Sequence, residues 1–220
     1  MMPHPLSASD VMVLCHPPMH QGKFFILLSG LSLIPFSIGG DIVDVVAGTG
    51  VDAKLFHIHK EVLDRSPFFH NAMKPEWTEG RDKKPIDLSD DTPDLVEHYL
   101  QWLYFHSVRP CTDIRFSIRL YVLGEKLMHG DFQNAVLDSL MLYCESANSF
   151  PSLKSIDLLY DGTPEGSPAR KLMVDFYWSL ADPSWIGKEV GKAHPAFVWE
   201  LLKTAMDTVC LLYTSPSPRD

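Results

Sequence analysis

Apolar residues along this chain fall into two rhythms, and the change from one to the other marks its elements. DIVDVVAG, Asp41 to Gly48, is short, β-branched and closed by a GTG turn, which predicts a buried strand. AKLFHIH, Ala53 to His59, alternates: Phe56 and Ile58 fall on one side, Leu55, His57 and His59 on the other. Strand, turn and strand together predict a hairpin. From His59 or Lys60 the pattern turns helical, with Val62 and Leu63, then Phe68 and Phe69. Ser66-Pro67 interrupts it as an N-cap followed by the first helical residue, so two short helices are expected. KPIDLSD, Lys84 to Asp90, predicts a brief third strand.

Longer helical patterns follow. In DTPDLVEHYLQWLYF, Thr92 is a capping residue, Pro93 suits the first turn, and Asp94 faces the positive end of the helix dipole. Leu95, Tyr99 and Trp102 form one apolar stripe, with Val96, Leu100 and Leu103 beside it. Asp113 to His129 is apolar around most of its circumference, with only Arg115, Arg119 and Lys126 as a polar stripe, so this helix is expected to be largely buried. Gly130 is expected to break it. DFQNAVLDSLMLYC then places Phe132, Ala135, Val136, Ser139, Leu140 and Tyr143 on one face, giving an antiparallel helical hairpin. Trp102, Leu103, Leu123 and Leu140 are the expected core.

Residues 147 to 166, ending in DGTPEGSP, read as a linker. Ser167-Pro168 opens a further helix carrying Leu172, Phe176 and Leu180. Pro195 opens the last, with Phe197, Val198, Leu201, Leu202, Ala205 and Val209 at helical spacing. Neither helix can bury its apolar face alone, so each is expected to dock on the other or on the preceding domain.

Composition narrows the chemistry. The chain has 220 residues and a formal net charge of −9, which repels phosphate backbones and argues against direct nucleic-acid binding. Cys15, Cys111, Cys144 and Cys210 are far apart and form no CxxC pair. That spacing gives neither a zinc knuckle nor a disulfide framework and fits a reducing compartment. The uncharged segment FFILLSGLSLIPFSIGG, Phe24 to Gly40, is marginal for a span of about 20 apolar residues and is interrupted by Pro35 and Gly39-Gly40. The start, MMPHPLSASD, lacks the basic region of a signal peptide. Residues 1–37 are therefore expected to be an atypical leader, disordered or non-native, rather than a membrane segment. The Pro/Ser-rich stretch 213–220 is expected to be a disordered tail resembling translated non-coding or adaptor sequence.

His57 and His59 share one side of a strand, as two metal ligands would, but spacing places no third ligand beside them: His70, His98, His106 and His129 are scattered. Ser66 is near two histidines in sequence, yet its Ser-Pro context makes it a helix cap. GTG falls short of a phosphate-binding glycine loop. Cys144 lies on an apolar helical pattern and is expected in the core. No catalytic, metal or cofactor site is expected, and the chain is not expected to be an enzyme.

Four stretches taken together resemble a known family: DIVDVVAG, LFHIHKEVLDRSPFF, PIDLSDDTPDLVEHYLQWLY and LYVLGEKLMHGDFQNAVLDSL. Their order and spacing resemble a BTB/POZ domain over residues 38–146, in particular the short BTB proteins of filamentous fungi. The resemblance implies an α+β fold for those residues: a small sheet flanked by a cluster of helices. Residues 147–212, which it does not cover, are read from their own helical spacing as a C-terminal helical extension. It makes His59 a structural histidine at the corner between strand and helix. It implies a protein–protein interaction module acting by homodimerisation, BTB heterodimerisation or scaffolding, in one form as substrate adaptor of a cullin ubiquitin ligase. The alternative is a transcription-associated BTB protein acting by partner recruitment. The implied location is the cytoplasm, the nucleus or both. Asp44 and Lys60 match positions that form a charged pocket near the family's dimer groove; an ion pair serving only the fold is the other reading. A cullin scaffold would meet the end of the W-L-Y helix, where Tyr104, Phe105, His106 and Arg109 lie. Ligase-binding members often carry an apolar-x-Glu motif just after that helix, whereas this chain reads FHSVRPCTDIRF, without Glu.

Overall fold

The computed structural model of the protein describes residues 40–74, 84–110, 112–180 and 191–214, with side chains described through residue 208. The architecture is α+β. β1 (Ile42–Ala47) and β2 (Lys54–His59) pair antiparallel, with Asp44 opposite His57 and Val45 opposite Phe56. A turn of 3-10 helix at Gly50–Asp52 joins them. Gly48 has φ of 76°, and a Cβ there would lie 2.8 Å from the Asp52 carbonyl oxygen, so both backbone angle and space require glycine. After α1 (Lys60–Leu63) and α2 (Pro67–Ala72), β3 (Ile86–Leu88) returns parallel to β1, giving the order β2-β1-β3. The inward side chains Val45, Ala47, Ile58, Ile86 and Leu88 are buried.

Helices cover that inner face. Both expected stripes of α3 (Pro93–Phe105) are buried. Thr92 is its N-cap residue, but the hydroxyl makes no capping bond, so the start is set by Pro93 at the first turn. α4 (Ile114–Lys126) is capped by the Asp113 carboxylate, which accepts the Arg115 N–H. It ends at Lys126, before the expected His129. Gly130 does not break it, but opens α5 (Gly130–Ala147). The break is a left-handed residue, Met128, at φ 53°: its N–H donates to Glu125 O and that of His129 to Gly124 O, which satisfies the last carbonyls of α4. α4 and α5 then pack together, with Leu123, Phe132, Val136, Leu140 and Cys144 in the core.

The supposed linker is the main correction. Residues 153–161 form α6 (Leu153–Asp161), which buries Leu153, Ile156, Leu159 and Tyr160 and packs on α4. Contact with α4 is close: a Cβ on Gly162 would lie 2.5 Å from Val122 Cγ1. α7 (Pro168–Leu180) begins where expected but is turned from the expected face. Ala169, Arg170, Met173, Val174 and Tyr177 are buried, Leu172 and Phe176 are half-buried, and Leu180 is exposed. α8 (Pro195–Thr214) packs on α7 and α6 through Phe197 and Leu201, and it continues to Thr214, past the expected start of the tail. Val198 and Leu202 face outward. Buried Arg170 ties the three helices: it donates to the carbonyls of Tyr160 and Thr163, lies over the Tyr160 ring at 4.5 Å, and stands 4.0 Å from Glu200. Among the described residues, no helix is long and apolar enough to cross a membrane. Residues 24–39 of the uncharged segment lie outside the described residues.

Candidate interaction surface

The hairpin and the end of α3 place the six residues singled out in the sequence. Asp44 lies on the outward side of β1, directly across from His57, and the two join at 2.6 Å between Oδ1 and Nδ1. Lys60 is exposed at the start of α1, and its N–H donates to Asp41 O. Among the described residues, no ion pair joins Asp44 to Lys60. The register gives Asp44 a nearer partner, while Lys60 lies past the end of β2. On the same outward side, Ile42 is 62% exposed and Leu55 46%.

Tyr104 is half-buried, and its hydroxyl oxygen lies 2.8 Å from His59 Nδ1 while accepting the His59 N–H at 3.3 Å. The strand-to-helix corner is thereby pinned to the last turn of α3, and His59 has a structural partner. His57 and His59, though on one side of β2, are bonded to different residues. Among the described residues, no three His, Cys, Asp or Glu side chains gather as a metal-binding group. Phe105, next to Tyr104, is 68% exposed. His106 closes α3 in the left-handed region at φ 48°, with its N–H on Trp102 O. Arg109 is exposed, with Nη2 3.4 Å from His98 Nδ1. Arg65 donates to Leu103 O, a further cap on the same helix end.

A buried polar chain lies beneath this surface. Ser66 Oγ accepts from the Phe69 N–H, as a cap should, and from the Tyr99 hydroxyl at 2.7 Å. The Tyr99 hydroxyl also meets His129 Nδ1 at 2.7 Å. Ser66 and Tyr99 are fully buried, and burial pushes the Tyr99 phenol well above its usual range. The partner of Ser66 is thus Tyr99; His59 is bonded to Tyr104, and His70 to Asp64 at 2.7 Å. Among the described residues, Trp102 Nε1 is buried without a hydrogen-bond partner. The stripe of α3 made Tyr99 legible as core, and a buried phenol needs a partner. Nothing in the sequence singled out Ser66 and His129 as that partner.

Two further surface features lie outside those six residues. A groove of about 550 Å³ runs between the start of α3, α4 and α6. It brings Arg119, Lys126 and Lys154 together with Asp90, Asp91, Asp157 and Asp161, a mixture that suits no single sign of ligand charge. On α8, Val198, Trp199, Leu202 and Met206 form an exposed apolar stripe opposite its docked face. A spacing of three and four from Trp199 to Leu202 to Met206 was its sequence signal. Compared with known proteins, the chain matches no protein-family model and no curated protein sequence.

Proposed function

We propose that the chain is a non-enzymatic protein-interaction module of the BTB/POZ type, which pairs with a second copy or another BTB chain and presents the end of α3 to a further protein. Support comes first from the order of elements: an antiparallel hairpin, two short helices, a strand returning parallel beside β1, then α3 and the α4–α5 pair. The observation that carries the reading is Phe105. A large aromatic stands 68% exposed beside an anchored Tyr104, held by a helix end with its own caps. Such a residue buries large area in a partner at small entropic cost. The outward side of the hairpin, with exposed Ile42 and Leu55 on either side of the Asp44–His57 pair, is a second surface, part apolar and part polar, suited to pairing between chains. Lys60 at its end remains available as a charged contact. Cullin binding ranks below pairing, because the segment after α3 has no Glu and Val108 packs against the core.

Two binding measurements test this reading. Light scattering of the full chain at micromolar concentration is expected to give the mass of two copies, or that of a heterodimer once a BTB partner is added. A monomer in both cases removes the pairing. Titration with a purified cullin N-terminal region separates adaptor from scaffold. Binding that is lost in Phe105→Ala, with an unchanged melting temperature, supports the adaptor form. No binding at tens of micromolar leaves scaffolding or recruitment.

A further inference from the structure

Trp102 sits between two histidines. His129 packs edge-on against it with ring centroids 4.8 Å apart, and His106 does so at 5.3 Å. His129 is only 7% exposed, and its Nδ1 meets the Tyr99 hydroxyl that in turn donates to Ser66. Its backbone closes the turn between α4 and α5: the N–H donates to Gly124 O and the carbonyl accepts the Gln133 N–H. One residue thus joins α2, α3, the end of α4 and the start of α5. Within that chain of bonds, imidazole is the group that ionises near neutrality.

We propose that His129 is a pH-sensitive latch, which holds the α4–α5 turn against the end of α3 and releases it in acid. The neutral ring makes its bond to Tyr99 and lies against Trp102. A second proton places a full charge among aromatic rings, where desolvation is costly. The groups facing it are the Tyr99 hydroxyl and Trp102 of α3, Ser66 behind Tyr99, His106 past Trp102, and Asp131 on α5. Burial dominates and holds His129 below the ordinary imidazole value; charge on His106 acts in the same direction, and Asp131 opposes it. A lowered value in the closed form means that the open form binds the proton more readily. The closed turn is therefore fully favoured above about pH 6.5 and loses ground as pH falls through that value towards the lowered one. Release loosens the end of α3, with Tyr104, Phe105 and His106. Only the consequence for partner binding rests on the interaction reading above.

Hydrogen exchange of the amides of residues 124–133 tests the latch in the full chain with no partner present. Rates are taken from about pH 7.5 to about pH 5.5 and corrected for intrinsic exchange. In the wild-type protein, protection is expected to fall by up to about tenfold per pH unit below about pH 6.5, the limit for one proton. In His129→Asn the side-chain amide keeps a donor towards Tyr99 but takes no proton, so protection is expected to be independent of pH. The slope is read rather than the level, so a general loss of stability in the variant does not mimic the effect. If the variant does not fold, an NMR titration of the His129 ring in the wild type gives the same answer through a midpoint below about 6.5. Flat protection in the wild type, a slope that survives in His129→Asn, or a ring midpoint at or above the ordinary value overturns the latch. Because no partner is present, either outcome leaves the interaction reading to its own tests.

Discussion

Met128 occupies a position that glycine usually fills. It takes φ of 53° in the turn that closes α4, with its side chain 64% exposed. A left-handed conformation costs a residue with a Cβ about 1–2 kcal/mol. Met128→Gly relieves that strain, and the greater freedom of glycine in the unfolded chain offsets part of the gain. We expect a net stabilisation of about 0.5–1 kcal/mol, seen as a higher denaturation midpoint. A midpoint at or below that of wild type would mean that the methionine side chain packs in a way its exposure does not suggest. The sequence placed a break in this region but put it at Gly130, because glycine is the ordinary marker of a helix end. His106 ends α3 in the same left-handed region. Residue type alone does not announce such caps, which depend on carbonyls three and four residues back.

Among the elements, α6 was least legible. Pro151, Gly162, Pro164 and Gly166 surround it, and this punctuation outweighed an apolar spacing at Leu153, Ile156, Leu159 and Tyr160 that spans little more than two turns. The two strongest α-helical patterns, α3 and α4, were legible because their stripes are long. α7 shows how a correct element can be given the wrong face. Leu172, Phe176 and Leu180 form a clean stripe at intervals of four, while charged Arg170 disguises the competing face that is buried. If α6 is packed as described, Ile156→Ala should destabilise the protein by about 2–5 kcal/mol, comparable to Leu123→Ala in α4. Urea titration measures both. A wild-type midpoint for Ile156→Ala would mean that α6 does not share the core, and the same result for Leu123→Ala would remove α4 from it.

At the scale of the whole molecule, the described residues from the hairpin to α8 share one hydrophobic cluster, which crosses residue 147 without interruption. The α+β character was legible from the change of period near Lys60. The parallel return of β3 to β1 was not, because pairing direction is a property of the path between strands and leaves no mark within a three-residue strand. The candidate surface was legible in part. The aromatic pair at the end of α3 lies where the W-L-Y pattern pointed, and the exposed face of α8 was not separated from the docked one because Val198 and Leu202 directly follow Phe197 and Leu201 in sequence. Asp44 was read together with Lys60, as a charged pocket or as an ion pair; the ion pair it makes is with His57, which cross-strand register decides and sequence spacing does not.

The central proposal is that this molecule binds other chains through two surfaces, the outward side of the hairpin at Ile42 and the end of α3 at Phe105. Affinity capture from cell extract tests it most directly, with wild type, Phe105→Ala and Ile42→Asp compared by quantitative mass spectrometry at matched melting temperature. Both altered residues are exposed, so neither change should unfold the protein. We expect the wild type to enrich a BTB chain, a cullin or untagged copies of itself. Ile42→Asp should lose the paired chains and Phe105→Ala the further partner, each by at least about tenfold, as removal of a buried interface anchor worth about 1.4 kcal/mol or more requires. The same proteins captured equally by all three forms, or none captured by the wild type, would contradict it.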